Sequence, residues 1–215
     1  SRELRIAIGE SIALTPPLGW NSWNCWGETI DEAKVRAAAA GMVSSGLAAH
    51  GFSYINIDDG WQGERSGPLG AIQPNEKFDD MARLCADIHA MGLRTGIYST
   101  PWTTSYAGYI GGSSGPEARL VTDHEESEGW HRERGWLFAE EAHHEADATQ
   151  WAAWGIDYLK YDWGPWQPDD VAAMGAALRS SGRDIVYSLS NSAPFDGASE
   201  WARLAHVYRT TGDIT

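Results

Sequence analysis

Four aspartates stand where carboxyl chemistry is possible: the adjacent Asp58 and Asp59 in YINIDDGWQ, Asp162 closing YLKYD, and Asp213 in RTTGD. Each follows a short apolar stretch, the place where a strand ends and its polar residues come within reach of a ligand. Glycoside hydrolysis needs two carboxyl groups across the scissile bond, about 5 to 5.5 Å apart when one of them attacks and configuration is retained. Asp162 and Asp213 suit that pairing, because two strand ends two positions apart around a barrel can aim at one sugar. Lys160, two residues before Asp162 on the same face of the strand, brings a positive charge that keeps a nucleophilic carboxylate ionised. Proximity to ionised Asp162 would raise the pKa of Asp213, as a proton-holding acid requires. A plainer alternative stays open for Asp162: a strand-end Asp that caps the next helix.

The elements that must position these residues form a repeating unit of amphipathic helix, glycine stop and short apolar strand with a polar end. Strands are expected at Leu18 to Trp23, Phe52 to Asp58, Leu93 to Ser99, Ile156 to Asp162, Asp184 to Ser190 and His206 to Thr210. A first helix is expected to start at the capping-box-like Thr29 to Glu32 and to bury Val35, Ala39 and Met42. A second runs from about Asp79 to Met91, a third ends near Trp154, and a fourth opens at Pro168 and stops at Gly182. The repeats fit an open doubly wound sheet or a closed barrel. The barrel is preferred, since Asp58, Ser99, Asp162 and Ser190 all fall at carboxyl ends and no nucleotide-type glycine fingerprint follows the first strand. The expected fold is therefore α/β, a (β/α)8 TIM barrel of which residues 15–215 supply about six βα units, strands 7 and 8 being absent, with residues 1–14 the end of an upstream segment. The long crossover from Thr100 to about Glu140, with GYIGGSSG and DHEESEGWHRERGW, reads as a lid or subsite wall.

Composition narrows the ligand. Thirty acidic against sixteen basic residues give a formal charge of -14, which repels phosphate backbones and anionic membrane surfaces, so neither nucleic acid nor membrane is an expected partner. With 42% hydrophobic residues in 215, one domain with a substantial core is expected. Twelve tryptophans, several beside polar residues, suit the apolar faces of sugars, although large aromatics equally fill cores. Cys25 and Cys85 give no disulfide framework, and Cys85 shares a helical apolar stripe with Met81, Leu84 and Ile88, which favours a buried thiol. His124, His131, His143 and His144 match no zinc spacing, so neither metal nor cofactor is expected. No apolar run reaches membrane-span length. The compartment stays open, a secreted or periplasmic full-length protein included.

TPPLGWNSW (Thr15 to Trp23), YINIDDGWQ (Tyr54 to Gln62), GIYS (Gly96 to Ser99), YLKYD (Tyr158 to Asp162) and RTTGD (Arg209 to Asp213) occur in this order. Together they resemble glycoside hydrolase family 27, the α-galactosidase and α-N-acetylgalactosaminidase family, from about Thr15 to the last residue. The resemblance implies a retaining glycosidase that releases terminal α-linked galactose, with Asp162 as nucleophile and Asp213 as acid/base. It implies that Trp20, Asp58, Asp59, Tyr98, Lys160 and Arg209 line the pocket of the terminal sugar. Asp58 and Asp59 would accept from the 4- and 6-hydroxyls, Lys160 would donate to the 3- and 4-hydroxyls, and Arg209 would address the 2-substituent. Two departures stand out. Trp163 and Gly164 follow the nucleophile where eukaryotic members carry cysteines, and Ser188 to Ser192 replaces an acidic segment that reads the 2-position, placing Ser190 and Asn191 there. N-Acetylgalactosamine, L-arabinopyranose and an α-1,6-glucan are thus alternative substrates, and a non-catalytic carbohydrate-binding protein is the alternative class.

Overall fold

The structure, a computed structural model, describes residues 13, 15–115, 118–121, 129–163, 167–190 and 193–213. The expected upstream segment therefore lies, Ala13 apart, outside the described residues up to Thr15. In chain order the elements are β1 (Gly19–Asn21), α1 (Trp23–Trp26), α2 (Glu32–Ser44), β2 (Tyr54–Asn56), β3 (Gln62–Ser66) and β4 (Ala71–Pro74). They continue with α3 (Met81–Ala90), β5 (Arg94–Ser99), α4 (Gly129–Arg134), α5 (His144–Trp154) and β6 (Tyr158–Tyr161). The last are α6 (Pro168–Ser180), β7 (Val186–Leu189), α7 (Ala198–Leu204) and β8 (Val207–Tyr208).

Six strands form one sheet in the order β1-β2-β5-β6-β7-β8, and each neighbouring pair is parallel. Sequential order with helical crossovers is the winding of a (β/α)8 barrel, and the six strands make its curved half with flanking helices. All six expected strands are present, each shorter than its apolar run. The start of α2 is different from the expected one. Asp31, extended in backbone, caps it by accepting from the Lys34 N–H at 2.8 Å, while the Thr29 hydroxyl donates to the Trp26 carbonyl within a 3₁₀ turn. Asp caps better than a Thr two residues earlier because it already has extended geometry one residue before the helix. Val35, Ala39 and Met42 are buried as expected. Asp80 caps α3 in the same way, and its stripe of Met81, Leu84, Cys85 and Ile88 is buried, with burial pushing the Cys85 thiol up to about 12.

The antiparallel hairpin β3-β4 was not expected, because QGERS is too polar to read as a strand. Its anchor is tertiary. Arg65 grips Asp147 of α5 through Nη1 at 2.7 Å and Nη2 at 2.8 Å, and also donates to the Gly112 and Ser114 carbonyls at 2.8 Å each. One guanidinium thus ties the hairpin, the segment after β5 and a barrel helix together. Gly111 permits that segment's fold, since a Cβ there would lie 2.2 Å from the Trp102 carbonyl oxygen. All six tryptophans buried among the described residues, Trp61, Trp102, Trp136, Trp151, Trp163 and Trp201, belong to the hydrophobic core, so for these the packing explanation holds.

Candidate active site

Strand alternation builds the site. On β6 and the residue beyond it, Tyr158, Lys160 and Asp162 fall on one face, while Leu159 and Tyr161 are fully buried on the other. Parallel register places Tyr98, Lys160 and Ser188 side by side, with Asn56, Gly96 and Tyr158 forming the layer below. Gly96 leaves room there for the Asn56 side chain, whose Oδ1 would lie 1.9 Å from a Cβ. Above these layers, at the carboxyl ends, lies a cavity of about 330 Å³, at the small end of the range for ligand sites. Asp58, Asp59, Tyr98, Lys160 and Asp162 line it, and so do Ser190, Arg209 and Asp213. One expected residue among those described is not brought to it. Trp20 packs its side chain against the core instead, and Asn191 lies outside the described residues.

The floor of the cavity is dense in buried charge. Asp58, 1% exposed, accepts through Oδ2 from Lys160 Nζ at 2.9 Å and from Asn21 Nδ2 at 2.6 Å, and through Oδ1 from the Asp59 N–H. Asp59 accepts from Gln62 Nε2 at 2.9 Å and from the Ala107 N–H at 2.7 Å. Burial pushes Asp59 up to about 6, with the Ala107 N–H pulling the other way and the Asp58 charge adding to the rise. Burial also raises Asp162, against the attraction of Lys160 and with the repulsion of Asp58. Lys160 is depressed by its own burial, but the Asp58 and Asp162 carboxylates outweigh that and leave it above its ordinary value. Three carboxyl groups and one ammonium thus share a poorly hydrated floor, in which the charges of Lys160 and Asp58 bear in opposite senses on Asp162.

The mouth is different. Asp213 is ion-paired with Arg209 at 2.7 Å, with its side chain 56% exposed, so it sits at the rim of the cavity that Asp162 also lines. Nε and Nη2 of Arg209 are buried without a hydrogen-bond partner among the described residues. Among the described residues no group of three His, Cys, Asp or Glu side chains is arranged to hold a metal ion.

Several lining residues were missed. Asn56, Tyr158 and Ser188 could have been found by extending the period of two backwards from Asp58, Asp162 and Ser190. Asn21, Trp23 and Tyr106 carry no such signal. Tyr106 arrives on the long segment after β5, whose course is set by contacts to Arg65 and not by local pattern.

A parallel βα half-barrel with an acidic cavity at its strand ends defines a barrel protein of the kind that builds sites from many strands. The chain belongs to the alpha galactosidase A (melibiase) family, whose family model matches residues 15–125. It is similar to alpha-galactosidase A of Cellvibrio japonicus, 39% identical over 215 residues, covering 95% of this chain and 45% of that protein. An alpha-galactosidase of Coffea arabica is 36% identical, with 98% and 50% covered. Among solved structures, alpha-galactosidase I from Mortierella vinacea superposes with a TM-score of 0.74 at 33% identity, covering 95% of this chain and 47% of that one. The alpha-galactosidase from Saccharomyces cerevisiae with raffinose gives 0.76 at 27%, with 95% and 41% covered. The chain spans about half the length of the curated relatives it matches.

Proposed function

We propose that this chain carries the sugar-binding floor and the catalytic carboxylates of a retaining α-galactosidase. The observation that carries the reading is the cavity itself: Asp58, Asp59 and Asp162 converge on one small space with Lys160 between them. Ionised carboxylates and an ammonium suit a ligand that offers many hydroxyls, each able to donate to one and accept from the other. Asp162 attacks the anomeric carbon while Asp213, at the rim, protonates the departing oxygen. Water then enters, gives a proton to Asp213 and displaces Asp162, so that configuration is retained. Arg209, with two nitrogens unsatisfied among the described residues, addresses an acceptor on the sugar's 2-position. Relatives described as alpha-galactosidases support galactose as that sugar.

The test is the division of labour between the two aspartates in the complete protein. Asp162→Ala should abolish turnover of nitrophenyl α-galactoside. Asp213→Ala should show a burst of nitrophenol, since that leaving group needs little protonation, and azide should rescue it to give a galactosyl azide of retained configuration. An inverted azide from Asp213→Ala, or rescue confined to Asp162→Ala, reverses the roles. A parallel screen with nitrophenyl α-N-acetylgalactosaminide and β-L-arabinopyranoside reads the choice at the 2- and 5-positions.

A further inference from the structure

Of the large hydrophobic side chains that stand exposed among the described residues, Tyr106 alone lines the cavity. Tyr106 is 47% exposed, whereas Asp58 and Tyr98 on the floor are each 1% exposed, so it marks the mouth. An exposed aromatic on a long crossover would ordinarily be mobile. This one is fixed from several sides. It stacks on Trp136 with centroids 4.9 Å apart, and Trp136 stacks in turn on Trp102 at 4.8 Å with planes 3° apart. Trp23, also lining the cavity, meets it edge-on at 5.8 Å. The Tyr106 N–H points to the Tyr98 hydroxyl at 3.4 Å, and the next residue's N–H is held by Asp59 at 2.7 Å. The chain thus keeps a rigid aromatic surface at the rim and ties it by backbone to the floor.

We propose that Tyr106, flanked by Trp23, is the platform for the second sugar of the substrate, a pyranose that presents an apolar C–H face to the ring. The inference rests on the glycosidase reading above and names what lies beyond the scissile bond. A prearranged aromatic contributes contact area without the ordering cost of a mobile side chain. Its place at the mouth is where a departing sugar must lie if the floor holds the reacting one. No other contact to the leaving sugar is needed for the platform to select disaccharides over substrates that lack one.

The experiment compares two substrates in the complete protein. Melibiose carries a glucose on the leaving side, and α-galactosyl fluoride carries no sugar there. For Tyr106→Ala the ratio of kcat/KM for melibiose to that for the fluoride should fall about tenfold, equivalent to about 1.4 kcal/mol. Tyr106→Phe, which keeps the ring, should restore the wild-type ratio. A ratio unchanged in Tyr106→Ala overturns the proposal, as does an equal loss on both substrates, which would place Tyr106 in the upkeep of Asp59. A ratio lost in Tyr106→Phe as in Tyr106→Ala overturns it too, by assigning the effect to the hydroxyl. Should the wild-type protein cleave neither substrate, the glycosidase reading itself fails and the platform falls with it.

Discussion

One strand carries two buried aspartates of opposite character, Asp157 just before β6 and Asp162 just after it. Asp157 faces the amino end of the sheet. Its Oδ2 accepts from His89 Nε2 at 2.7 Å and from the Thr95 N–H at 2.9 Å, and its Oδ1 from Arg183 Nη2 at 2.6 Å, with Arg94 at 3.8 Å. Three hydrogen bonds and a nearby second guanidinium thus enclose that carboxylate. Asp162, equally withdrawn from solvent, opens instead onto a cavity that Arg209 also lines. Burial of a carboxylate therefore says little about its use; what separates the two is that Asp157 is enclosed by side chains from other repeats, whereas Asp162 lines a cavity. The amino end of a barrel spends its charges on holding strands and helices together, and the carboxyl end keeps them for a ligand.

The largest expected effect comes from deleting the open-sided partner. Asp162→Ala should lower turnover by on the order of 10⁴-fold or more, as loss of a nucleophile does. It should nevertheless leave the melting temperature unchanged or raised, because burial disfavours the charge that is removed. A large drop in melting temperature would make Asp162 a structural residue like Asp157 and erase the contrast.

Deleting the closed-sided partner should do the reverse. Asp157→Ala strands Arg183 and His89 and leaves the Thr95 N–H unsatisfied, for a loss of about 2 to 3 kcal/mol read from denaturant midpoints. The figure is below that for fully buried pairs because the side chains of Arg183 and His89 are about one third exposed. Activity per folded molecule should stay within about twofold. A selective loss of kcat at intact stability would show that the amino end is wired to the cavity.

Much of the fold and one side of this contrast were legible in the sequence, and the illegible part has a common cause. Apolar runs closed by polar residues located all six parallel strands, and alternation along YLKYD put Lys160 and Asp162 on one face. Local pattern carries such information because strand and helix periods are local. It could not show that Asp157 is locked, since His89 and Arg183 approach it from other repeats, 68 and 26 residues away in sequence. Nor could it show the hairpin held by Arg65, or that Trp23 and not Trp20 of the same motif lines the cavity. In TPPLGWNSW both tryptophans look alike, yet Trp23, the first residue of α1, lines the cavity while Trp20 on β1 packs against the core.

The smallest predicted effect sharpens the comparison through pH. Asp59 has an ordinary unfolded value near 4 but is pushed up to about 6 in the folded protein, mainly by burial. Between those values the folded state holds the proton more tightly than the unfolded chain, so the folded state is favoured by protonation. The contribution is complete below about pH 4 and is lost as pH rises through about 6. Two units correspond to at most about 3 kcal/mol, and local relaxation makes the observed change smaller. Asp59→Asn cannot titrate at this site. It will cost a roughly constant amount at every pH through its altered bond to the Ala107 N–H, so the slope is the quantity to read. Denaturant midpoints from pH 4 to 7.5 should therefore fall less steeply in Asp59→Asn than in the wild-type protein, the two curves converging or crossing toward neutral pH. Parallel curves would mean that the hydrogen bonds to Asp59 offset its burial as fully as those to Asp157 do, and that the cavity floor stores no cost for keeping a second carboxylate there.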